Sequence, residues 1–214
     1  GVSADDPTPA QAEAVGAALA QVHLAGQSFG DFRRDGMGPE AWRGFVRSCA
    51  GRWSEIDPVL DAVPALVDDA IKRWPADLPV STIHADLFPD NVLLVGDEVS
   101  GMIDFYFACT GPMAYDIAVT HAAWSFTPDG RHFDPAIGDA LLTGYRSVRE
   151  PDAAEIAALP DLAKAGCLRF LLTRAYDWLN TPADAMVTKK DPLAFLRRHA
   201  FYDERGAVAF GVLS

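Results

Sequence analysis

The spacing of apolar residues near the start of the chain predicts a helix. From residue 12 to residue 22 they recur every three or four positions, which is the period of a half-buried helix. Thr8 precedes Pro9, and Gln11 lies three residues after Thr8, which is the pattern of an N-terminal cap with a capping box. Gly26 is a typical C-terminal stop. We therefore predict a first helix that begins at Pro9 and ends near Gly26.

Two further helices are predicted in the next fifty residues. One follows Pro39, and a second extends from Val59 to Trp74, until the prolines at positions 75 and 79 break it. The apolar face of the helix after Pro39 comprises Trp42, Phe45, Val46 and Cys49.

The second half of the chain is also helical in pattern. From Asp116 onward apolar residues recur at helical spacing, with predicted breaks at residues 127–135, 149–152 and 180–184. The clearest helical face of this part is the stripe of Leu168, Leu171, Leu172, Ala175 and Leu179.

Between these helical parts the period changes to that of β-strands. Val80–Ile83 and Val92–Val95 are short runs rich in β-branched residues, and residues 96–98 form a turn that leads into a third run at 99–103. Polar residues lie at the ends of these apolar runs. We predict an α+β fold, in which a mainly helical body contains a small β-hairpin region that carries the polar residues.

Composition narrows the class of protein. The 214 residues are 50% apolar and 22% charged, which fits one globular domain with a sizeable core. No run of about 18 apolar residues is present, so no membrane-spanning helix is predicted. The formal charge of −12 argues against nucleic acid or an anionic membrane as a partner. The three cysteines are far apart and form no CxxC pair, which favours reduced thiols and a cytoplasmic location.

The polar residues at the strand ends form a candidate site for phosphoryl transfer. His84, Asp86 and Asn91 follow the first strand, and Asp104 ends a later strand of the same hairpin-like unit. If those strands pair, Asp86, Asn91 and Asp104 meet at one edge. Phosphoryl transfer needs a carboxylate that orients the attacking hydroxyl and oxygen ligands for Mg²⁺, and these side chains supply both.

The order of these residues matches a known catalytic pattern, H-x-D-x-x-x-x-N followed by a strand-borne Asp-Phe. A chance match in a chain of this length has a probability on the order of one in a hundred, because each fixed residue has a usage of a few per cent. The structural alternatives are a turn at Asp86, a cap or turn at Asn91, a loop residue at Asp104 and a helix N-cap at Asp116. The remaining histidines show no metal-ligand spacing and are expected to be ordinary core or surface residues: His23, His121, His132 and His199.

Several segments together resemble the aminoglycoside-phosphotransferase-like family. They are "HADLFPDNVLL" from residue 84, "GMIDFYFACTGPMAYDIAV" from residue 101, "LRFLLTRAYDWLNTP" from residue 168 and "TKKDPLAFLRRH" from residue 188. Within that family the chain is most similar to bacterial homoserine kinases, and "VGAALAQVHLAG" from residue 15 resembles the helix that opens their C-terminal lobe. The resemblance implies a protein-kinase-like fold, ATP and Mg²⁺ as cofactors, and a small alcohol as acceptor.

By this resemblance each site residue takes a role. Asp86 would be the catalytic carboxylate that positions the acceptor hydroxyl and accepts its proton. Asn91 and Asp104 would hold Mg²⁺ on the nucleotide. Asp116 would lie under the loop and accept hydrogen bonds that fix it, and His84 would be a packing and hydrogen-bonding strut.

The chain departs from the protein-kinase form of the motif at three positions. Ala85 replaces an arginine, Phe88 replaces a lysine that contacts phosphate, and Tyr106 replaces the glycine of Asp-Phe-Gly. The missing arginine removes the usual link to a phosphorylated activation loop. This difference favours a small-molecule kinase over a protein kinase.

The resemblance also implies a strand-rich N-terminal lobe, whose loop and lysine contact the nucleotide phosphates. The sequence shows no such pattern, because none of its lysines lies in a matching strand: Lys72, Lys164, Lys189 and Lys190. We therefore expect residues 1–214 to be a single C-terminal catalytic lobe, with residues 1–8 as the remainder of the interlobe linker. We also expect the chain alone to have little or no kinase activity.

An acceptor site is predicted on the helix that carries the leucine stripe. Arg174 and Asp177 lie three residues apart on the opposite side of that helix, flanked by Phe170 and Trp178. Arg174, Asp177 and Trp178 are therefore candidates for binding a zwitterion such as homoserine. The alternative is an intrahelical ion pair, which contributes only about 0.2–0.5 kcal/mol.

The leading hypothesis is the lobe of an ATP-dependent homoserine kinase that makes O-phosphohomoserine for threonine biosynthesis. The open alternatives are a lobe of an aminoglycoside, choline or methylthioribose kinase, and a non-catalytic pseudokinase fragment. Metal-dependent hydrolysis has the least support, because no second metal cluster accompanies the site. The expected partner is a small-molecule substrate, with no nucleic acid and no membrane.

Overall fold

The computed structural model describes residues 1–3, 6–182 and 189–212. In these residues the helices are α1 (Pro9–Gly26), α2 (Pro39–Cys49), α3 (Val63–Arg73), α4 (Met113–Trp124), α5 (Pro135–Val148), α6 (Ala153–Asn180) and α7 (Leu193–Ala209). The strands are β1 (Val80–Ile83), β2 (Val92–Val95), β3 (Glu98–Met102) and β4 (Cys109–Pro112). The predicted mainly helical α+β class is confirmed.

The first helix begins where its capping box predicts. The Thr8 hydroxyl accepts a hydrogen bond from the Gln11 backbone N–H at 3.2 Å, and the Gln11 side chain accepts one from the Thr8 N–H at 3.1 Å. Two backbone donors at the helix start are thereby satisfied. The helix predicted after Pro39 is also confirmed.

The predicted third helix is wrong in its first part. Pro58–Ala62 forms a 3-10 turn, and α3 begins only at Val63. Val59, which the pattern placed on the helix, is 53% exposed. Proline is the physical reason: Pro58 and Pro64 lack a backbone N–H, so each fits the first turn of a new helical segment better than a helix interior.

Helix α4 lies at the centre of the fold, because all 12 of its residues are buried. Helix α6 packs against α4 and α7, and α1 packs against α5. Glycine permits the close approach of α1 and α5: a Cβ atom on Gly144 would collide with the carbonyl of Glu13, and one on Gly16 with the carbonyl of Leu141. This packing holds α1 against the centre of the fold.

The strands form two separate antiparallel pairs. β1 pairs with β4, and β2 pairs with β3 through an irregularity between Leu93 and Leu94. The prediction that β1 pairs with the strand that leads to Asp104 is therefore wrong. The turn at Gly96, whose φ is 61°, closes β2 and β3 into a local hairpin, and that hairpin leaves β1 to pair with β4.

The three cysteines, Cys49, Cys109 and Cys167, are buried and free, as the sequence predicts for reduced thiols.

Among the helices described, none combines the length and the apolar character that a membrane crossing requires.

Candidate active site

A buried carboxylate supports the loop that follows β1. Asp116 accepts hydrogen bonds from the backbone N–H groups of His84 and Ala85, each at 2.7 Å. It lies in the first turn of α4, which begins at Met113, so the alternative that it is an N-cap is wrong. The backbone of the loop is therefore tied directly to the central helix.

The charge of Asp116 is stabilised from the opposite side by His23 of α1. The His23 Nε2 atom lies 3.0 Å from the carboxylate, and both residues are fully buried. Burial acts to raise the pKa of Asp116, but the hydrogen bond and the charge of His23, together with His84, lower that pKa below its ordinary value. Asp116 is therefore an ionised acceptor beneath the loop.

Further polar groups continue this support towards the start of α6. The His23 Nδ1 atom lies 2.8 Å from the Tyr145 hydroxyl. That hydroxyl accepts a hydrogen bond from Arg149 at 3.2 Å, and Arg149 in turn donates to Glu155 at 2.7 Å. From sequence His23 was expected to be a core or surface residue without a role in the site. No local pattern reveals its contact, because its partner Asp116 lies 93 residues further along the chain.

Two motif residues have a left-handed backbone. The φ angle is 62° at Ala85 and 61° at Asp104. This region is disfavoured for residues other than glycine by about 1–3 kcal/mol each, and such positions concentrate at functional sites. At Ala85 the hydrogen bond to Asp116 offsets part of the cost. The strain thus falls immediately before Asp86 and at Asp104 itself.

The three candidate residues for metal and acceptor chemistry lie together. Asn91 Nδ2 donates to the backbone oxygen of Asp86 at 2.8 Å. Ile103 N–H donates to the Asn91 carbonyl at 3.0 Å, which places Asp104 one residue beyond that contact. The charge of Asp104 is near enough to raise the pKa of Asp86. The convergence comes from loop contacts, not from pairing of β1 with β3.

His84 connects the two sides of this site. Its Nε2 atom lies 3.0 Å from the Ile103 carbonyl, and its Nδ1 atom lies 3.3 Å from the backbone N–H of Asp86. This pattern assigns the proton to Nε2, which donates, while Nδ1 accepts. The ring also contacts Phe105, with 4.5 Å between ring centroids.

Arg169, which no sequence pattern marked as a site residue, lies next to Asp86. Its Nη1 atom donates to the Ala85 carbonyl at 2.6 Å and to the Asp86 carboxylate at 3.3 Å, although 83 residues separate Arg169 from Asp86. The guanidinium carbon lies 4.3 Å from the ring centroid of Phe170 and 5.0 Å from that of Phe107. Arg169 therefore supplies a positive charge that no residue of the local motif provides.

The electrostatic environment of Asp86 differs from that of Asp116. Burial raises the pKa of Asp86, and the charge of Asp104 adds to that increase. The charge and hydrogen bond of Arg169, and to a smaller extent the neighbouring His84 ring, act in the opposite direction, but they do not cancel it. A carboxylate with a raised pKa is a better proton acceptor than an ordinary aspartate.

The residues present fit a divalent cation that binds together with phosphate. No group of three His, Cys, Asp or Glu side chains in the described ranges could hold a metal on its own. The hydrogen bond of Asn91 to Asp86 uses Nδ2, which leaves Oδ1 for a metal. Asp104 is exposed, and its side chain makes no capping hydrogen bond to the 3-10 turn that follows it. One amide oxygen and one carboxylate are a donor set that Mg²⁺ takes with phosphate and water.

A cleft of about 740 Å³ lies beside the loop. Its lining includes Phe88, Pro89 and Asp90 of the loop, Arg174 of α6 and Arg198 of α7. The predicted acceptor residue Arg174 therefore lies next to the candidate catalytic loop.

The other two predicted acceptor residues do not line this cleft. Asp177 is exposed, and Trp178 contacts Lys189, which donates to the Trp178 carbonyl at 2.7 Å. Within the described ranges Arg174 makes no ion pair with Asp177. It instead donates to the Asp191 carbonyl at 3.1 Å, with its guanidinium over the ring of Phe195. The geometry supports neither a zwitterion site formed with Asp177 nor the alternative intrahelical ion pair.

Comparison with known proteins identifies the class. The sequence pattern of the phosphotransferase enzyme family matches residues 1–151. This chain belongs to that family. The fold agrees: an amicoumacin kinase, solved in complex with AMP-PNP, Ca²⁺ and Ami, superimposes with a TM-score of 0.64 at 16% identity. That superposition covers 95% of this chain and 61% of the kinase chain.

More similar relatives specify one branch of the family. The homoserine kinase of Gluconacetobacter diazotrophicus is 54% identical over 191 residues, which cover 88% of this chain and 59% of the relative. The homoserine kinase of Rhizobium rhizogenes is 50% identical over 189 residues, with the same coverage of 88% and 59%. The chain thus spans about three fifths of the length of these relatives.

Proposed function

We propose that the chain carries the catalytic loop of an ATP-dependent kinase that phosphorylates the hydroxyl of homoserine. The convergence of Asp86, Asn91 and Asp104 on a loop tied to Asp116 carries this proposal, because phosphoryl transfer needs such a set of groups. The homoserine kinases at about 50% identity support the choice of acceptor. The chain corresponds, in this proposal, to a single C-terminal lobe, with residues 1–8 in the linker that leads into it.

Asp86 is the group that handles the acceptor hydroxyl. Its carboxylate orients the hydroxyl oxygen towards the γ-phosphorus and accepts the hydroxyl proton as the new O–P bond forms and the bond to ADP breaks. Arg169 holds Asp86 in place through the hydrogen bond of 3.3 Å. Asp116 and His84 keep the backbone of the loop in the required conformation. The products are ADP and O-phosphohomoserine, which serves threonine biosynthesis.

Asn91 and Asp104 are the groups that would hold Mg²⁺. The ion, when bound with ATP, neutralises charge on the phosphate oxygens. The contribution of this chain is to keep the two oxygen donors close together through the hydrogen bond from Ile103 to Asn91.

Two arginines in the cleft lining, Arg174 and Arg198, support the choice of homoserine. They offer partners for a carboxylate, a group that choline and aminoglycosides lack. A pseudokinase fragment is the second candidate function. The retention of Asp86, Asn91 and Asp104 in one arrangement weighs against it.

A substrate panel tests the proposal. A protein that contains this chain, expressed from its whole reading frame, is mixed with Mg²⁺-ATP and L-homoserine, choline, kanamycin or methylthioribose, and ADP release and the ³¹P spectrum of the product are measured. We expect phosphate transfer to L-homoserine with kcat/KM at least about a hundredfold above the other acceptors. Transfer to another acceptor in preference to homoserine would refute the assignment, and no transfer at all would favour the pseudokinase.

A further inference from the structure

Two arginines on different helices share one aromatic ring in the wall of the cleft. The guanidinium carbon of Arg174, on α6, lies 4.5 Å from the ring centroid of Phe195, and that of Arg198, on α7, lies 4.4 Å from it. Both arginines line the cleft. Two like charges are thus held close together in a protein whose formal charge is −12.

No carboxylate in the described ranges neutralises either arginine. Arg198 is only 3% exposed, and it donates through Nη2 to the Thr127 carbonyl at 3.1 Å, while its Nε and Nη1 atoms have no partner there. Arg174 donates to the backbone carbonyl of Asp191. The Asp191 carboxylate instead lies 3.3 Å from Arg197. The cleft wall therefore carries positive charge that the neighbouring side chains leave unpaired.

Unpaired charge at a partly buried position is unfavourable unless an anion binds there. Burial and the charge of Arg198 lower the pKa of Arg174 to about 10, so Arg174 remains charged at neutral pH. Packing alone is the competing explanation, because arginine often stacks on aromatic rings. Packing does not account for two guanidinium groups on one ring without a carboxylate partner.

The lining of the same cleft also contains an exposed carboxylate, that of Asp90. Asp90 is exposed, and its backbone oxygen, not its carboxylate, accepts the hydrogen bond from Ser3. Arg174, Arg198 and the exposed carboxylate of Asp90 thus line the same cleft. A cleft lined by groups of both signs suits a zwitterion.

We infer that this cleft binds the amino-acid end of the acceptor, with Arg174 on the carboxylate, Arg198 reinforcing the positive charge behind it, and Asp90 on the ammonium. The inference rests on the proposed function and specifies how the acceptor is selected.

Direct binding to a protein that contains this chain, expressed from its whole reading frame, tests the inference. Two-dimensional NMR titrations use L-homoserine, 3-aminopropan-1-ol, which lacks the carboxylate, 4-hydroxybutyrate, which lacks the ammonium, and inorganic phosphate. The variants are Arg174→Gln, Arg198→Met and Asp90→Asn. The matched controls are Arg205→Gln and Asp97→Asn, because Arg205 on α7 and Asp97 in the β2–β3 turn are exposed and do not line the cleft.

The variants should affect the ligands selectively. Arg174→Gln should weaken homoserine and 4-hydroxybutyrate about ten- to a hundredfold and leave 3-aminopropan-1-ol unchanged, because only the first two carry a carboxylate. Arg198→Met should weaken the same two ligands several-fold. Asp90→Asn should weaken homoserine and 3-aminopropan-1-ol and spare 4-hydroxybutyrate. The controls should change nothing.

Three results would overturn the inference. These are equal effects of Arg174→Gln on all ligands, no effect on any, and inorganic phosphate binding as tightly as homoserine at the same residues, which would indicate a general anion site. If Arg174→Gln does not fold, Arg174→Lys replaces it: it keeps the charge but loses the forked geometry, and should weaken carboxylate ligands about fivefold. The substrate panel distinguishes failure of the proposed function from failure of this inference. If the proposed function is wrong, the unmodified protein transfers phosphate to a different alcohol.

Discussion

The two aspartates of the motif lie close together but in contrasting surroundings. Asp86 is partly buried, touches Arg169, and belongs to a loop whose backbone is tied to Asp116. Asp104 is exposed, its side chain makes no capping hydrogen bond, and its backbone is left-handed. The protein itself fixes the side that we propose handles the acceptor hydroxyl. The side assigned to metal and nucleotide keeps its oxygen donors open to solvent.

The same contrast appears among the buried groups. Asp116 is fully buried and has a lowered pKa, because His23 and His84 compensate it. Asp86 is less buried and has a raised pKa, because Arg169 and His84 compensate it only in part. The charged form of Asp116 therefore stabilises the fold at neutral pH. The charged form of Asp86 lowers the free energy of unfolding, as is common for residues placed for catalysis.

The largest expected effect is that of Asp86→Asn on catalysis. The amide cannot accept the hydroxyl proton, so kcat for homoserine phosphorylation should fall by a factor of about 10² to 10⁴. Steady-state kinetics of a protein that contains this chain measure it, with Asp97→Asn as the matched control. A variant that keeps more than about a tenth of the activity would exclude Asp86 as the base.

The same variant should not lose stability. For an aspartate whose native pKa exceeds its unfolded value, the stabilising contribution is present below the unfolded pKa and is lost as the pH rises through the native pKa. At pH 7 the charged form of Asp86 thus costs stability, and Asp86→Asn should equal or exceed the parent in urea unfolding. A clear loss would mean that Asp86 is a structural acceptor.

Asp116→Asn should act in the opposite direction. Loss of a charged acceptor for two loop N–H groups and His23 should lower the free energy of unfolding at pH 7 by about 2–3 kcal/mol. Because the native pKa of Asp116 lies below its ordinary value of 3.8, its contribution is present above that pH and is lost as the pH falls through the native pKa. Urea unfolding at pH 7, 4 and 3 measures this, and the difference between parent and variant should shrink at pH 3. A difference that stays constant with pH would show that the Asp116 charge is not responsible.

Arg169→Met should have a smaller effect, concentrated in kcat. Without the guanidinium the Asp86 carboxylate loses its orienting contact, and kcat should fall about ten- to a hundredfold while the homoserine KM changes little. Arg169→Lys should restore part of the rate, because it keeps the charge. An exposed arginine, Arg205→Met, is the control. Equal losses in the methionine and lysine variants, with lower melting temperatures, would indicate a packing role alone.

Local sequence patterns predicted those parts of the fold whose position depends on residues adjacent in the chain. The capping box at Thr8 and Gln11 fixed the start of α1, and the spacing of His84, Asp86 and Asn91 marked the loop after β1. Pro58 and Pro64 show the limit of helical periodicity, since they divided a predicted helix into two segments. Backbone restrictions at proline outweighed the apolar pattern.

Long-range contacts could not be predicted in this way. Arg169 reaches Asp86 across 83 residues, and His23 reaches Asp116 across 93. No local signal marks either residue, because each lies in an otherwise apolar helical segment. The sequence marked both Arg174 and Asp177 as candidates for binding the acceptor. They lie on different sides of α6, because Asp177 is exposed while Arg174 faces α7.

The central claim is that the two neighbouring aspartates, Asp86 and Asp104, have different roles. The Mg²⁺ dependence of activity tests this claim most directly. Phosphate transfer to homoserine is measured against Mg²⁺ concentration for the parent, Asp86→Asn and Asp104→Asn. We expect Asp104→Asn to raise the half-activating Mg²⁺ concentration at least about tenfold. Asp86→Asn should lower the maximal rate and leave the half-activating concentration within about twofold of the parent. An equal shift in both variants, or no shift in Asp104→Asn, would contradict the division of roles between the two aspartates.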